Sequence, residues 1–212
     1  MKKPLSLFLL SGLLALFSSF SAQAVVLGIV PPSQAVSVGD PVSVDLGISG
    51  LGNYGPESLG AFDLDITYDP SILSFNNISF GLLLGDPLWD EAETGFDDSI
   101  GTVNIFEWSY LEAASSSCIF CMPPYLDDLQ PSSFTLATLT FDTLAPGTTS
   151  LAISVNALGD ARGDPLGDVA LMSGSLTVTA VPEPGALLIL GSGLAGLALS
   201  RRRKIQRFKM AA

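Results

Sequence analysis

Residues 62–70 read Phe-Asp-Leu-Asp-Ile-Thr-Tyr-Asp-Pro. Side chains alternate across an extended strand, so Phe62, Leu64, Ile66 and Tyr68 share one face while Asp63, Asp65 and Thr67 share the other. One apolar face and one polar face at a period of two predict a half-buried antiparallel strand lying on a core. Asp69-Pro70 ends it with turn chemistry, and Leu73 and Phe75 bring apolar side chains back inside.

The same alternation recurs outward from this stretch. Val36-Ser37-Val38 and Val42-Ser43-Val44-Asp45-Leu46-Gly47-Ile48 are apolar at every second residue, with Gly39-Asp40-Pro41 as the break. Further strands are predicted at Val103–Tyr110, Phe134–Phe141, Leu151–Val155 and Leu176–Thr179. In Val103–Tyr110 either face could be inward: Val103, Ile105, Glu107 and Ser109, or Asn104, Phe106, Trp108 and Tyr110. Helical periodicity is nearly absent between residues 25 and 180. The expectation is therefore an all-β, antiparallel sandwich, and about 155 residues suffice for one core.

Charge is distributed unevenly. Residues 25–180 hold twenty acids and one base, Arg162, for a net charge of −19. Such a body repels nucleic acid and anionic lipid and favours cations or basic partners. The chain has no histidine, which removes the usual triad base and the commonest metal ligand.

Both ends carry targeting signals. MKKPLSLFLLSGLLALFSSFSAQA, residues 1–24, has two lysines, an apolar core from Leu5 to Phe20, and Ala22-Gln23-Ala24 as a cleavage site. That pattern predicts a secretory signal peptide and a mature chain from Val25. At the other end, Val181-Pro182-Glu183-Pro184 precedes the apolar residues 185–200 and the basic tail 201–212. Sixteen residues at ~1.5 Å each make a short, marginal transmembrane helix, with the cations held on the cytoplasmic side.

Val181-Pro182-Glu183-Pro184, the short apolar segment and Arg201-Arg202-Arg203-Lys204 resemble the PEP-CTERM sorting signal of Gram-negative bacteria. The resemblance implies transient residence in the inner membrane and cleavage near the Pro-Glu-Pro by an exosortase. It further implies delivery to the outer surface or the extracellular matrix. In the body, Val38-Gly39-Asp40-Pro41-Val42-Ser43-Val44 and Gly60–Leu73, then Leu136–Phe141 and Gly174–Val178, resemble the cohesin-like jelly-roll sandwich, a relative of some carbohydrate-binding modules. That resemblance implies a binding module. The segment from Leu82 to Leu129 is long and irregular and departs from the compact pattern.

Four sets of residues are candidates for binding. Cys118-Ile119-Phe120-Cys121 is a C-x-x-C, open to readings as a local disulfide in an oxidising compartment, a redox pair or half of a metal site. Asp86, Asp90, Glu91, Asp97 and Asp98 form an acidic run that reads either as a solvated loop or as a calcium site, since Ca²⁺ collects several oxygen ligands. Asp160, Asp164 and Asp168 follow glycines at every fourth residue, a pattern that turn chemistry explains better than metal binding. Trp89, Trp108, Tyr110 and Tyr125 could stack on sugar rings or belong to the core.

No motif demands a cofactor, and calcium is the one candidate. Nothing resembles a nucleophile elbow, a phosphate loop or a metal-ligand set, so a non-catalytic role is expected. The reading is a secreted surface or matrix protein whose partners are the exosortase and then a polysaccharide or another matrix protein. Ca²⁺ bridging its acidic loops to anionic matrix polymers is a mechanism this charge allows. The alternative is a carbohydrate-binding module using Trp89, Trp108 and Tyr125.

Overall fold

The structure is a computed structural model that describes residues 24–118, 120–181, 190–195 and 197. The strands are β1 (Val26–Val30), β2 (Ser33–Ser37), β3 (Pro41–Ser49), β4 (Leu59–Thr67), β5 (Leu73–Phe80), β6 (Ala92–Ser99), β7 (Thr102–Ser109), β8 (Ser133–Thr143), β9 (Gly147–Asp160), β10 (Ala170–Met172) and β11 (Gly174–Thr179). One short helix, α1 (Leu126–Leu129), interrupts them. Two sheets face each other. The first runs β10-β1-β3-β8-β5 and the second β2-β11-β9-β4-β7-β6.

The alternation at residues 62–70 resolves as expected. Phe62, Leu64 and Ile66 are buried, Asp63 and Asp65 are half-buried, and Tyr68 packs edge-on against Phe141 with 5.2 Å between ring centroids. β3 does the same, with Val42, Val44, Leu46 and Ile48 inward. Between the sheets these meet Leu27, Leu73, Ile105, Leu139, Leu151 and Leu176 in one continuous core. Burying such side chains contributes roughly 1.5–3 kcal/mol each, the main force holding the two layers together.

Asp69 Oδ1 accepts from Ser71 N at 2.9 Å and from Ser71 Oγ at 2.6 Å, which turns the chain from β4 into β5. These bonds hold the Asp69 carboxyl below its ordinary pKa. At the far end of β4, Gln130 is fully buried. Its Oε1 accepts from Leu59 N at 2.7 Å, and its Nε2 donates to Leu59 O at 2.8 Å and Leu83 O at 2.9 Å. One side chain thereby ties the residue after α1 to β4.

The structure differs from the sequence reading in three respects. The sandwich is not wholly antiparallel, because β1 runs parallel to β10 and β2 parallel to β11. The first and last strand regions each switch sheets, at Pro31-Pro32 and at Ser173, and so pair side by side in both layers. The segment from Leu82 to Leu129 is also more regular than expected, since β6, β7 and α1 occupy much of it. The acidic stretch around Asp97 and Asp98 lies in β6, where pairing with β7 organises a sequence lacking alternation of its own.

The expected signal-peptide helix lies outside the described residues, apart from Ala24. Most of the expected transmembrane segment 185–200 also lies outside them; residues 190–195 and 197 are helical. Among the described residues, no helix is long and apolar enough to cross a membrane.

Candidate functional site

β6 and β7 form a hairpin through Ile100 and Gly101, where Gly101 has φ +80°, a conformation that favours glycine. In β7, Val103, Ile105 and Glu107 turn inward, so Asn104, Phe106 and Trp108 face solvent. The Phe106 and Trp108 rings lie parallel within 10°, their centroids 5.6 Å apart. Gly95 of β6 stands opposite Phe106, and a Cβ there would collide with Phe106 Cζ and sit 2.6 Å from Cε2. The missing side chain on β6 is what lets the ring lie across the hairpin.

Carboxylates and amides surround the rings. Tyr110 Oη donates to Glu93 Oε2 at 2.7 Å, and Glu93 is the cross-strand partner of Trp108. Asn104 Nδ2 donates to Asp63 Oδ1 at 2.6 Å and to Asp65 Oδ1 at 2.9 Å, with Asn156 adding a bond to Asp63 at 3.1 Å. Asp97 stands opposite Asn104 on β6. On the other side of Trp108 come Ala61 of β4 and Gly159 of β9, small residues that keep the floor low. Beyond them a shallow trough of about 560 Å³ lies against β9 and includes Asn156, Asp160 and Leu166. Parallel rings, small neighbouring residues and outward carboxylates make this the candidate binding face.

Glu107 is the feature the sequence left open. It is 0% exposed, and neither carboxyl oxygen has a hydrogen-bond partner. Burial pushes its pKa from the ordinary 4.5 up to about 8, because ionisation inside the sandwich would leave an unsolvated charge. The alternation from Val103 and Ile105 carries it inward behind Phe106 and Trp108.

The structure places the other candidates apart. Trp89 is 78% exposed and ends a 3-10 turn, Pro87–Trp89, just before β6. Tyr125 is half-buried, and its Oη donates to Cys121 O at 2.9 Å. Trp89, Trp108 and Tyr125 thus sit on three different elements. Asp86 caps the 3-10 turn by accepting from Leu88 N, Glu91 Oε2 accepts from Asp86 N, and Asp90 takes a left-handed φ of 56°. Asp97 lies six residues beyond Glu91, about 20 Å along an extended strand. The five acids do not converge. Asp160 Oδ1 accepts from Arg162 N and Asp164 N, the turn chemistry its spacing suggests, and Asp168 has φ 48°.

Cys118 and Cys121 form a disulfide with 5.4 Å between Cα atoms. Glu112 lies beside it, with Oε1 3.9 Å from Cys121 Sγ. Of the sorting residues, Val181 is exposed two residues beyond β11, while Pro182, Glu183, Pro184, Arg201, Arg202, Arg203 and Lys204 lie outside the described residues, as does Ala22.

Residues 180–204 match the model of the PEP-CTERM protein-sorting motif. No curated protein is significantly similar in sequence. Solved structures resemble the fold. A type I cohesin, solved with a dockerin, from Clostridium thermocellum aligns with TM-score 0.56 and 11% identity, covering 74% of this chain and 99% of that one. A cohesin module from a family 33 glycoside hydrolase of Clostridium perfringens gives 0.54 and 15%, covering 75% and 99%. A non-cellulosomal cohesin from Archaeoglobus fulgidus gives 0.50 and 14%, covering 77% and 94%. The chain thus joins a sandwich of cohesin fold to a PEP-CTERM sorting motif that begins where its last strand ends.

Proposed function

We propose that this is a non-catalytic exported binding protein of a Gram-negative bacterium, processed by an exosortase and displayed on the outer surface or in the extracellular matrix. Residues 1–24 act as the signal peptide, 25–180 as the binding sandwich, and 181–212 as the sorting signal with its temporary membrane helix. The observation that carries the reading is the junction. β11 closes the second sheet at Thr179, and the matched motif starts at residue 180. A cut near the Pro-Glu-Pro would therefore release every strand of the sandwich and remove only the tail. The similarity to cohesins, one of them solved with a dockerin, supports a binding role.

Mass spectrometry of the protein recovered from the matrix tests this. A chain beginning at Val25 and ending near Val181 is the expected product, with Glu183→Ala holding the protein in the membrane fraction. An intact tail on matrix-borne protein would overturn the sorting reading. A second reading, a carbohydrate-binding module, is favoured by the outward pair Phe106 and Trp108. It predicts that a polysaccharide shifts Trp108 emission.

A further inference from the structure

We propose that the outward face of β6, β7, β4 and β9 binds a linear glycan that carries free amino groups. The inference rests on the carbohydrate reading above and names its ligand. One row of residues crosses four strands from Glu93 through Trp108 and Ala61 to Gly159. Three strand spacings of ~4.8 Å make this row about 14 Å long, enough for a short run of sugars lying across the sheet. Trp108 stands in the middle of the row and is 36% exposed, with the Phe106 ring parallel to it. The small side chains of Ala61 and Gly159 leave low ground between Trp108 and the trough. A pyranose ring can lie flat on an aromatic face and continue over such a floor.

Charge selects among glycans. Glu93, Asp97, Asp63 and Asp65 edge the rings, and the one base of residues 25–180, Arg162, is paired with Asp127 at 2.7 Å. Glu93, Asp63 and Asp65 each accept through one oxygen from neutral donors, Tyr110 for Glu93, Asn104 and Asn156 for Asp63, and Asn104 for Asp65. An anionic polysaccharide would meet repulsion from a body of net charge −19. An ammonium group gains from both parts of the site, an aromatic face and nearby carboxylates. The ligand class is therefore a partly deacetylated amino-sugar polymer.

The experiment compares the mature matrix-released protein on three insoluble polymers, cellulose, chitin and chitosan, and on immobilised polylysine. It is repeated with Trp108→Ala, Asp97→Asn and added salt, after circular dichroism confirms each variant is folded. Trp108→Ala leaves net charge unchanged, so it separates the site from general attraction. The expected result is chitosan binding about tenfold tighter than chitin binding, lost about tenfold in Trp108→Ala and weakened by Asp97→Asn and by salt. Equal Trp108-dependent binding to all three polymers would overturn the amine specificity while leaving the carbohydrate reading standing. Chitosan binding untouched by Trp108→Ala would be charge alone and would overturn the proposal. Trp108-dependent binding of polylysine but not chitosan would assign the face to a basic protein partner. Binding to none of the polymers would sink the carbohydrate reading as well.

Discussion

Arg162 Nη2 lies 2.7 Å from Asp127 Oδ2, while Ser58 Oγ donates to the other oxygen of the same carboxylate at 2.6 Å. Asp127 is buried at the start of α1, and Arg162 reaches it from the loop after β9. The one base among residues 25–180 therefore pins two connections together at one end of the sandwich. Arg162→Ala leaves a buried carboxylate with a single donor. The expected loss is about 2 kcal/mol, read as a lower urea midpoint with unchanged slope, and Asp127→Asn in the same background should recover part of it.

Gln130 makes a similar link with uncharged groups. Its amide satisfies Leu59 N, Leu59 O and Leu83 O, all in a buried setting. Gln130→Ala removes both partners of Leu59 and opens a void. A loss of about 3 kcal/mol is expected from thermal or chemical unfolding, and an effect within error would show that water enters and replaces the amide.

Glu107 makes the stability depend on pH. The folded state keeps its carboxyl protonated up to about pH 8, whereas the unfolded chain releases that proton near the ordinary 4.5. A raised acid pKa means that its contribution is fully present below pH 4.5 and is lost as pH rises towards about 8. Glu107→Gln keeps the shape and abolishes the titration. Wild type should therefore lose stability relative to Glu107→Gln across that window, by up to several kcal/mol, with the gap levelling off above it. Parallel urea titrations of the two proteins from pH 4 to 9 measure this gap, and a constant gap would contradict it.

The sandwich was legible wherever one face of a strand is apolar and the other polar. Residues 42–48 and 62–68 are such stretches, because each strand buries one face and wets the other. β6 escaped because Glu93, Gly95, Asp97 and Asp98 leave it with little apolar alternation; it exists by pairing with β7. The parallel pairs escaped because β10 is only three exposed residues long and its partner β1 is remote in sequence. Trp108 was named from the sequence alone, but its partner Phe106 and the glycine under that ring are facts of register. The inward face of β7 was undecided because it carries Glu107, an acid where the pattern asks for an apolar residue.

Gly95 offers the most direct control over the binding face. Its lack of a side chain gives the Phe106 ring the space that a Cβ would occupy. Gly95→Ala must therefore push the ring away or move the β6 backbone, and the contact atoms belong to a stiff ring in the middle of a hairpin. The expected cost is about 1–3 kcal/mol in stability, with the Phe106–Trp108 pair disturbed. Tryptophan emission should shift, since Trp108 loses its parallel neighbour, and glycan retention should fall with it. Gly167→Ala is the matched control: a Cβ there meets nothing within 4 Å, so stability and emission should stay within about 0.5 kcal/mol and the wild-type spectrum, respectively. If Gly95→Ala kept wild-type emission and stability, the ring would have another resting place, and the platform formed by Phe106 and Trp108 would lose its structural basis.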